Sequence, residues 1–412
     1  MQSQYQYHRL ANGIRVIHRQ IPGQISHCGL MVETGSRDER DDESGMAHFI
    51  EHMIFKGTQS RRAFHLMSRI ENVGGELNAY TSKEETCIHT SFLSPYYERS
   101  LDVFSDVAFR SVFPEKEITK EKEVVLDEIN SYNDSPAELI FDDFEDQLFD
   151  KHPLGRNILG DEAHVKGFSR RDIFHFVKRN YDTEKMVIAS VGQIDFVKLL
   201  ALVEKYFGSI PSAHRIGQRK KFETYQPSRK EMKKSSYLSH CMIGNLAFSR
   251  SDPRKFTLLL LNNLLGGPAM NSRLNLGIRE KYGFAYSIES TVQTYFDTGW
   301  FGIYLGTDQK YIDRGLSLIN KELQKLSSKK LGLLQLQRAK QQFIGQLSLN
   351  YESPLNEMLG IAKNHLYNHK VKSPEEIVSL INKIQAEDVL AVAVEVFEPS
   401  MQSTLIYESK ES

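Results

Sequence analysis

The chain repeats itself, and that constrains its fold more than any single motif. "SHCGLMVETGS" (Ser26 to Ser36) returns as "SHCMIGNLAFS" (Ser239 to Ser249), and "AHFIEHMIFKG" returns as "FTLLLLNNLLGG", each an apolar helix running into glycine. "SRIENVGGELNAYTS" (68–82) returns as "SRLNLGIREKYGFAYS" (272–287). Three echoes in the same order argue for two degenerate copies of one domain, residues 1–206 and 235–412. Between them, residues 207–234 are poor in aliphatics and rich in Lys and Arg, and read as a solvated basic linker. A chain of 412 residues is long enough for two such cores. Within the first copy, strand-like alternation ("GIRVIHRQ", "KMVIASVG") mixes with helical period (near 61–73, 95–110 and 114–132) without a strict βαβ rhythm. The expected class is α+β: two homologous domains, each a mixed sheet packed with helices.

Composition narrows the function. A net charge of −1 gives no electrostatic footprint for nucleic acid or an anionic membrane. Three cysteines, Cys28, Cys87 and Cys241, lie far apart with no CxxC, which disfavours a disulfide framework or a cysteine zinc finger and favours a reducing compartment. No signal-peptide core and no apolar run of about 20 residues is present, so the expectation is a cytoplasmic protein with no membrane contact.

The chemistry concentrates in "GMAHFIEHMIFKG" (Gly45 to Gly57). His48 and His52 are i and i+4, one turn apart on one helix face, so both imidazoles can address one ion, and neutral imidazole suits zinc. Glu51, i+3 from His48, shares that face and has the position of a general base for an attacking water. Aligning Gly57 with Gly266 sets Thr257, Leu260 and Leu261 opposite His48, Glu51 and His52. The second copy lacks the polar trio, so the fold does not require it. Catalytic zinc usually takes a third protein ligand. Glu121 and Glu128, two turns apart on a helix opening near Pro114, are acids in reach of that role; their pattern equally fits a salt-bridged face with Lys116, Lys120 and Lys122.

HxxEH followed by "KEVVLDEI", with "ETGSRDE", "GGELNAYTSKEETC" and "GIREKYGFAYS", resembles the pitrilysin/insulinase family of inverted-zincin metallopeptidases, in its short two-domain branch. The resemblance implies a zinc metalloendopeptidase with one Zn2+ per chain, bound by His48, His52 and Glu128. It implies Glu51 as base and Glu121 as a further catalytic carboxylate. It implies that Arg279 and Tyr286 contact substrate from the second domain, and that Asn78 and Ala79 lie on a strand pairing with the substrate backbone. It further implies a homodimer closing a chamber around short or unfolded peptides. The alternative within the same family is a non-catalytic or partner-dependent subunit; such subunits usually have a damaged HxxEH, whereas all four positions stand here.

Other features are set aside. "HLYNH" (His365 and His369) repeats the i, i+4 spacing without a base, and reads as a helix end. "LLGGPAMNSRL" lacks the GK[ST] of a phosphate loop. The His-Cys steps at 27–28 and 240–241 mark the repeat.

Overall fold

A computed structural model describes residues 4–409. The alternating segments form eleven strands: β1 (Gln6–Arg9), β2 (Arg15–Gln20), β3 (Ile25–Val32), β4 (Glu76–Thr81), β5 (Thr86–Leu93), β6 (Met186–Gly192), β7 (Arg229–Lys234), β8 (Ser239–Ala247), β9 (Ala285–Thr294), β10 (Gly299–Thr307) and β11 (Ser403–Ser409). They build two sheets, ordered β1-β2-β6-β3-β5-β4 and β7-β11-β8-β10-β9. In the first, only β2 and β6 run parallel; in the second, only β7 and β11 do. Removing β1 leaves the same order and the same single parallel pair in both sheets. The duplication legible in the echoes is thus a duplication of topology. β3 answers β8, and β4 answers β9, each of these last two at a sheet edge with one side unpaired.

Helical period after Ser44 gives α1 (Met46–Met53), α2 (Ala63–Glu71), α3 (Tyr97–Phe109), α4 (Glu115–Asn133) and α5 (Pro136–Phe149). Two compact units result, interleaved along the chain. One holds the chain through Asn130, Arg156–Lys220 and Leu349–Ser373; the other holds Ser131–Gly155, Lys221–Ser348 and the chain from Pro374. The sequence reads as two consecutive blocks, and the difference comes from two helices. In the first unit, Leu30, Val32 and Ile88 pack against Phe49, Leu101 and Phe104 on one sheet face. The opposite face, Met31, Cys87 and Val187, is covered by Met358, Ile361 and Ala362 from the helix Pro354–Asn368. In the second unit, Ile243, Ile303 and Leu305 pack on Leu258 and Leu261, while Met242, Tyr304 and Leu405 take Ile140, Phe144 and Leu148 from α5. An apolar helical stripe announces burial without naming the sheet it will cover, so the period could not assign either helix.

Residues 207–220 belong to the first unit. Arg219 and Arg215 both reach Asp38, at 2.8 and 3.0 Å, and the Arg219 and Asp38 side chains are only 7% and 3% exposed. Most of this stretch is solvent-exposed, but Arg215 and Arg219 turn inward onto the first unit. The charge of the stretch is partly neutralised by buried acids distant in sequence, including Glu84, whose carboxylate lies 3.8 Å from the Arg219 guanidinium. All three cysteines are buried free thiols, as their spacing predicts. No helix among the described residues is long and apolar enough to cross a membrane.

Candidate metal centre

The local sequence fixes α1 first by its apolar stripe. Met46, Phe49, Ile50 and Met53 recur at i, i+3, i+4 and i+7 and are all at most 2% exposed. That turns His48, Glu51 and His52 away from the deepest core. The helix start is set by Gly45, at φ +90°, and by the Glu39 carboxylate, which accepts from the Gly45 and Ala47 amides at 3.1 and 2.9 Å. Glu39 thereby satisfies amides that a helix start leaves without intrahelical partners. A Cβ on Gly45 would meet the Leu159 carbonyl oxygen at 2.6 Å. Gly45→Ala is therefore expected to cost about 1–3 kcal/mol, read as a lowered urea midpoint, and to weaken metal binding by displacing both histidines together.

α4 supplies the acids. Ile118, Val125, Leu126 and Ile129 hold its inner face in the core, and Glu121 and Glu128 come off the same helix toward α1. The Glu128 Oε2 atom lies 3.8 Å from His48 Nε2 and 3.5 Å from His52 Nε2. Ligand atoms of His48, His52 and Glu128 all fall within 4.8 Å of one another, the one such group among the described residues. The two rings meet edge to face with centroids 4.6 Å apart.

The protonation chemistry suits a cation. Burial, helped by the neighbouring His52, pushes the His48 imidazole down to about 4, so it is neutral near pH 7 and offers a lone pair. His48 Nδ1 is buried without a hydrogen-bond partner. For His52, burial pulls downward, but the bond to Glu121 and the charges of Glu128, Glu121 and Glu51 outweigh it and raise the ring. His52 Nδ1 faces Glu121 Oε1 at 2.9 Å. These acids favour the protonated ring; when His52 is neutral with its proton on Nδ1 toward Glu121, Nε2 carries the lone pair facing Glu128. A carboxylate fixing the tautomer of a histidine in this way is the common support of a metal ligand. Two imidazole nitrogens and a carboxylate oxygen match a catalytic zinc donor set. The residues fit the metal.

Glu51 is partly buried, and burial raises its carboxyl above the ordinary range, against the opposing influence of Thr81 and His52. Thr81 ends β4, and hydrogen bonding from it to Glu51 is what opposes that rise. On that edge strand Asn78 is exposed and Ala79 half-buried, paired with His89 and Ile88 of β5 on their inner side only. The turn after β4 is pinned from several directions. Glu84 accepts from Arg37 at 2.7 Å, and Glu85 accepts from Lys363 and Tyr367.

Arg279 and Tyr286 belong to the other unit. Arg279 is exposed in a π-helical turn, Asn275–Glu280, and Tyr286 is 55% exposed on the edge strand β9. In the position matching α1, the helix Lys255–Gly266 buries Thr257, Leu260 and Leu261 where α1 carries its polar trio. His365 and His369 are not a second metal pair. His369 Nδ1 faces the Arg15 guanidinium at 2.8 Å, burial pushes His365 down to about 4, and His369 closes the helix in left-handed conformation. Sequence reasoning missed Glu39, Thr81 and Lys56. Of these only Lys56, one turn beyond His52, had a spacing that pointed to the site.

Residues 15–162 match the family described as Insulinase (Peptidase family M16), and residues 167–343 match the one described as Peptidase M16 inactive domain. An uncharacterized zinc protease of Bacillus subtilis is 33% identical, covering 96% of each chain. The mitochondrial-processing peptidase subunit beta of Saccharomyces cerevisiae is 30% identical over 93% of this chain and 86% of its own. Among solved structures, a protease from Helicobacter pylori superposes with a TM-score of 0.87 at 20% identity, covering 98% of this chain and 99% of that one. A protein from Pseudomonas fluorescens titled as a peptidase M16 inactive domain gives 0.91 at 19% identity, covering 99% and 98%. These two superpositions speak to the fold.

Proposed function

Because the chain belongs to the insulinase family, peptidase family M16, we propose that it is a zinc-dependent metalloendopeptidase whose site is His48, His52, Glu128 and Glu51. The observation that carries this reading is the convergence of the His48, His52 and Glu128 ligand atoms within 4.8 Å, beside a base one residue from His52. Zinc, when bound, supplies Lewis-acid polarisation of the scissile carbonyl and makes water easier to deprotonate. His48 and His52 hold the metal through neutral imidazoles, and Glu128 adds a negative oxygen. A carboxylate oxygen of Glu51 takes the proton of the attacking water and returns it to the leaving amine. Glu121 acts on His52 rather than on substrate, which refines its expected role as a catalytic carboxylate.

Substrate joins β4 at Asn78 and Ala79 as an added strand, a reading supported by the free side of that edge. Backbone pairing selects extended, unfolded chains over particular side chains. Peptides carrying N-methyl groups at alternate backbone positions are then expected to show KM raised about 2–10-fold per lost hydrogen bond, measured against the unmethylated series. Arg279 and Tyr286 of one copy orient the peptide at the metal site of the other, and the two copies enclose it in a chamber. A second reading is favoured by one observation: the yeast relative is by name a subunit. On that reading the chain needs a different partner. Quenched-peptide hydrolysis by the purified full chain, followed with native mass and abolished by chelator, tests the proposal. A chain that binds no metal and cleaves nothing at any assembly state would remove it.

A further inference from the structure

Lys56 leaves α1 one turn beyond His52. Its amide donates to the Met53 carbonyl at 3.1 Å, and Gly57, at φ +134°, pairs with Arg62, so the chain exit has a defined path. Its ammonium lies 2.7 Å from Glu121 Oε2, with the Lys56 and Glu121 side chains 30% and 7% exposed. The other Glu121 oxygen, Oε1, faces His52 Nδ1 at 2.9 Å. Glu121 thus sits between two donors from consecutive turns, one on each carboxylate oxygen. Burial of a carboxylate is costly unless its oxygens are occupied by donors or cations. Here the His52 imidazole supplies one hydrogen bond, and the Lys56 ammonium supplies a permanent positive charge.

We propose that Lys56 is a positioning residue for the metal centre: it clamps Glu121 so that the carboxylate presents Oε1 to His52 Nδ1 and keeps Nε2 aimed at the ion. The inference rests on the reading of His48, His52 and Glu128 as metal ligands. Without the ammonium, Oε2 is a buried acceptor with no cation, and the carboxylate gains from turning toward water. His52 then loses the partner that fixes both its ring plane and its tautomer. Loss of such an outer partner lowers metal affinity about 10–100-fold. A merely structural lysine would change stability without any dependence on Glu121.

The test is a zinc titration of the metal-stripped full chain against a chromophoric chelator. It compares wild type, Lys56→Met, Lys56→Arg, Glu121→Gln and the Lys56→Met/Glu121→Gln pair, with the far-ultraviolet circular dichroism of each. Lys56→Met is expected to bind zinc about 10-fold more weakly, Lys56→Arg to recover most of that loss, and the double variant to bind no more weakly than Glu121→Gln alone. The cobalt-substituted Lys56→Met protein is expected to show a shifted visible spectrum. Equal affinity in wild type and Lys56→Met overturns the proposal, as do losses that multiply in the double variant. Should Lys56→Met lose its fold, Lys56→Arg decides in its place: with the charge kept its affinity stays near wild type, and a 10-fold loss there overturns the proposal. A wild type that takes up no zinc removes the metal reading itself, a result distinguishable from both of these.

Discussion

Glu51→Gln is expected to bind zinc as wild type does and to hydrolyse peptides about 10²–10⁴-fold more slowly. The amide keeps the volume and polarity of the carboxyl but cannot accept a proton. Glu51 is not one of the three groups whose ligand atoms converge, so metal content should not follow activity. Its carboxyl is raised by burial, which moves a weak base toward the strength useful near neutrality. The measurement is metal content by atomic emission beside turnover of a quenched peptide library. Zinc in both proteins with cleavage in wild type alone assigns the base. Zinc in both with cleavage in neither favours the partner-dependent reading. Loss of zinc in Glu51→Gln would count Glu51 among the ligands and require another base.

The largest expected stability effect lies away from the chemistry. Arg219→Met is expected to destabilise the first unit by about 3–5 kcal/mol at pH 7, the range for breaking one side of a buried ion pair. Arg219 donates to both Asp38 oxygens at 2.8 Å. Burial alone would raise the Asp38 carboxyl; the Arg219 guanidinium, seconded by Arg215 and the Gly35 amide, overrides it and holds the carboxyl below the ordinary range. A folded pKa below the unfolded value, about 3.9, contributes stability above that pH and loses it as pH falls through the folded pKa. Removing Arg219 leaves burial unopposed on that side, and ionising Asp38 then costs stability as pH rises. The deficit of the variant should be greatest near pH 7 and shrink toward pH 4, measured by urea unfolding at both values. An equal deficit at the two would mean that lost packing, not the buried charge, is responsible.

Much of the site was legible because α1 obeys a local rule. Spacing alone put His48, Glu51 and His52 on one face, and the echo in the second half showed that the fold tolerates Thr257, Leu260 and Leu261 instead. Glu128 was different. A carboxylate on another helix has no spacing rule connecting it to α1, and only resemblance singled it out from Glu121 and the lysines around it. The residues that support the site were harder still. Glu39 acts through backbone amides, which leave no signature in side-chain pattern. Arg219 sits in a stretch whose composition is that of a solvated linker, because composition counts charges and cannot count their partners. The duplication implied that the two sheets share a topology without saying which, and it left open the assignment of α5 and of the helix Pro354–Asn368, since both carry apolar stripes that either sheet could accept.

The interleaving of the two units has a consequence for synthesis. As the ribosome releases the chain, the first sheet has all its strands once Gly192 has emerged, yet one of its faces waits for Met358, Ile361 and Ala362. A nascent chain carrying the complete HxxEH helix therefore keeps an apolar sheet face uncovered until the helix Pro354–Asn368 leaves the exit tunnel. Strands β7 to β10 of the second unit are therefore made before the first unit can be finished. A product terminated before that helix presents the uncovered face of the first sheet as a sticky surface to chaperones and degradation.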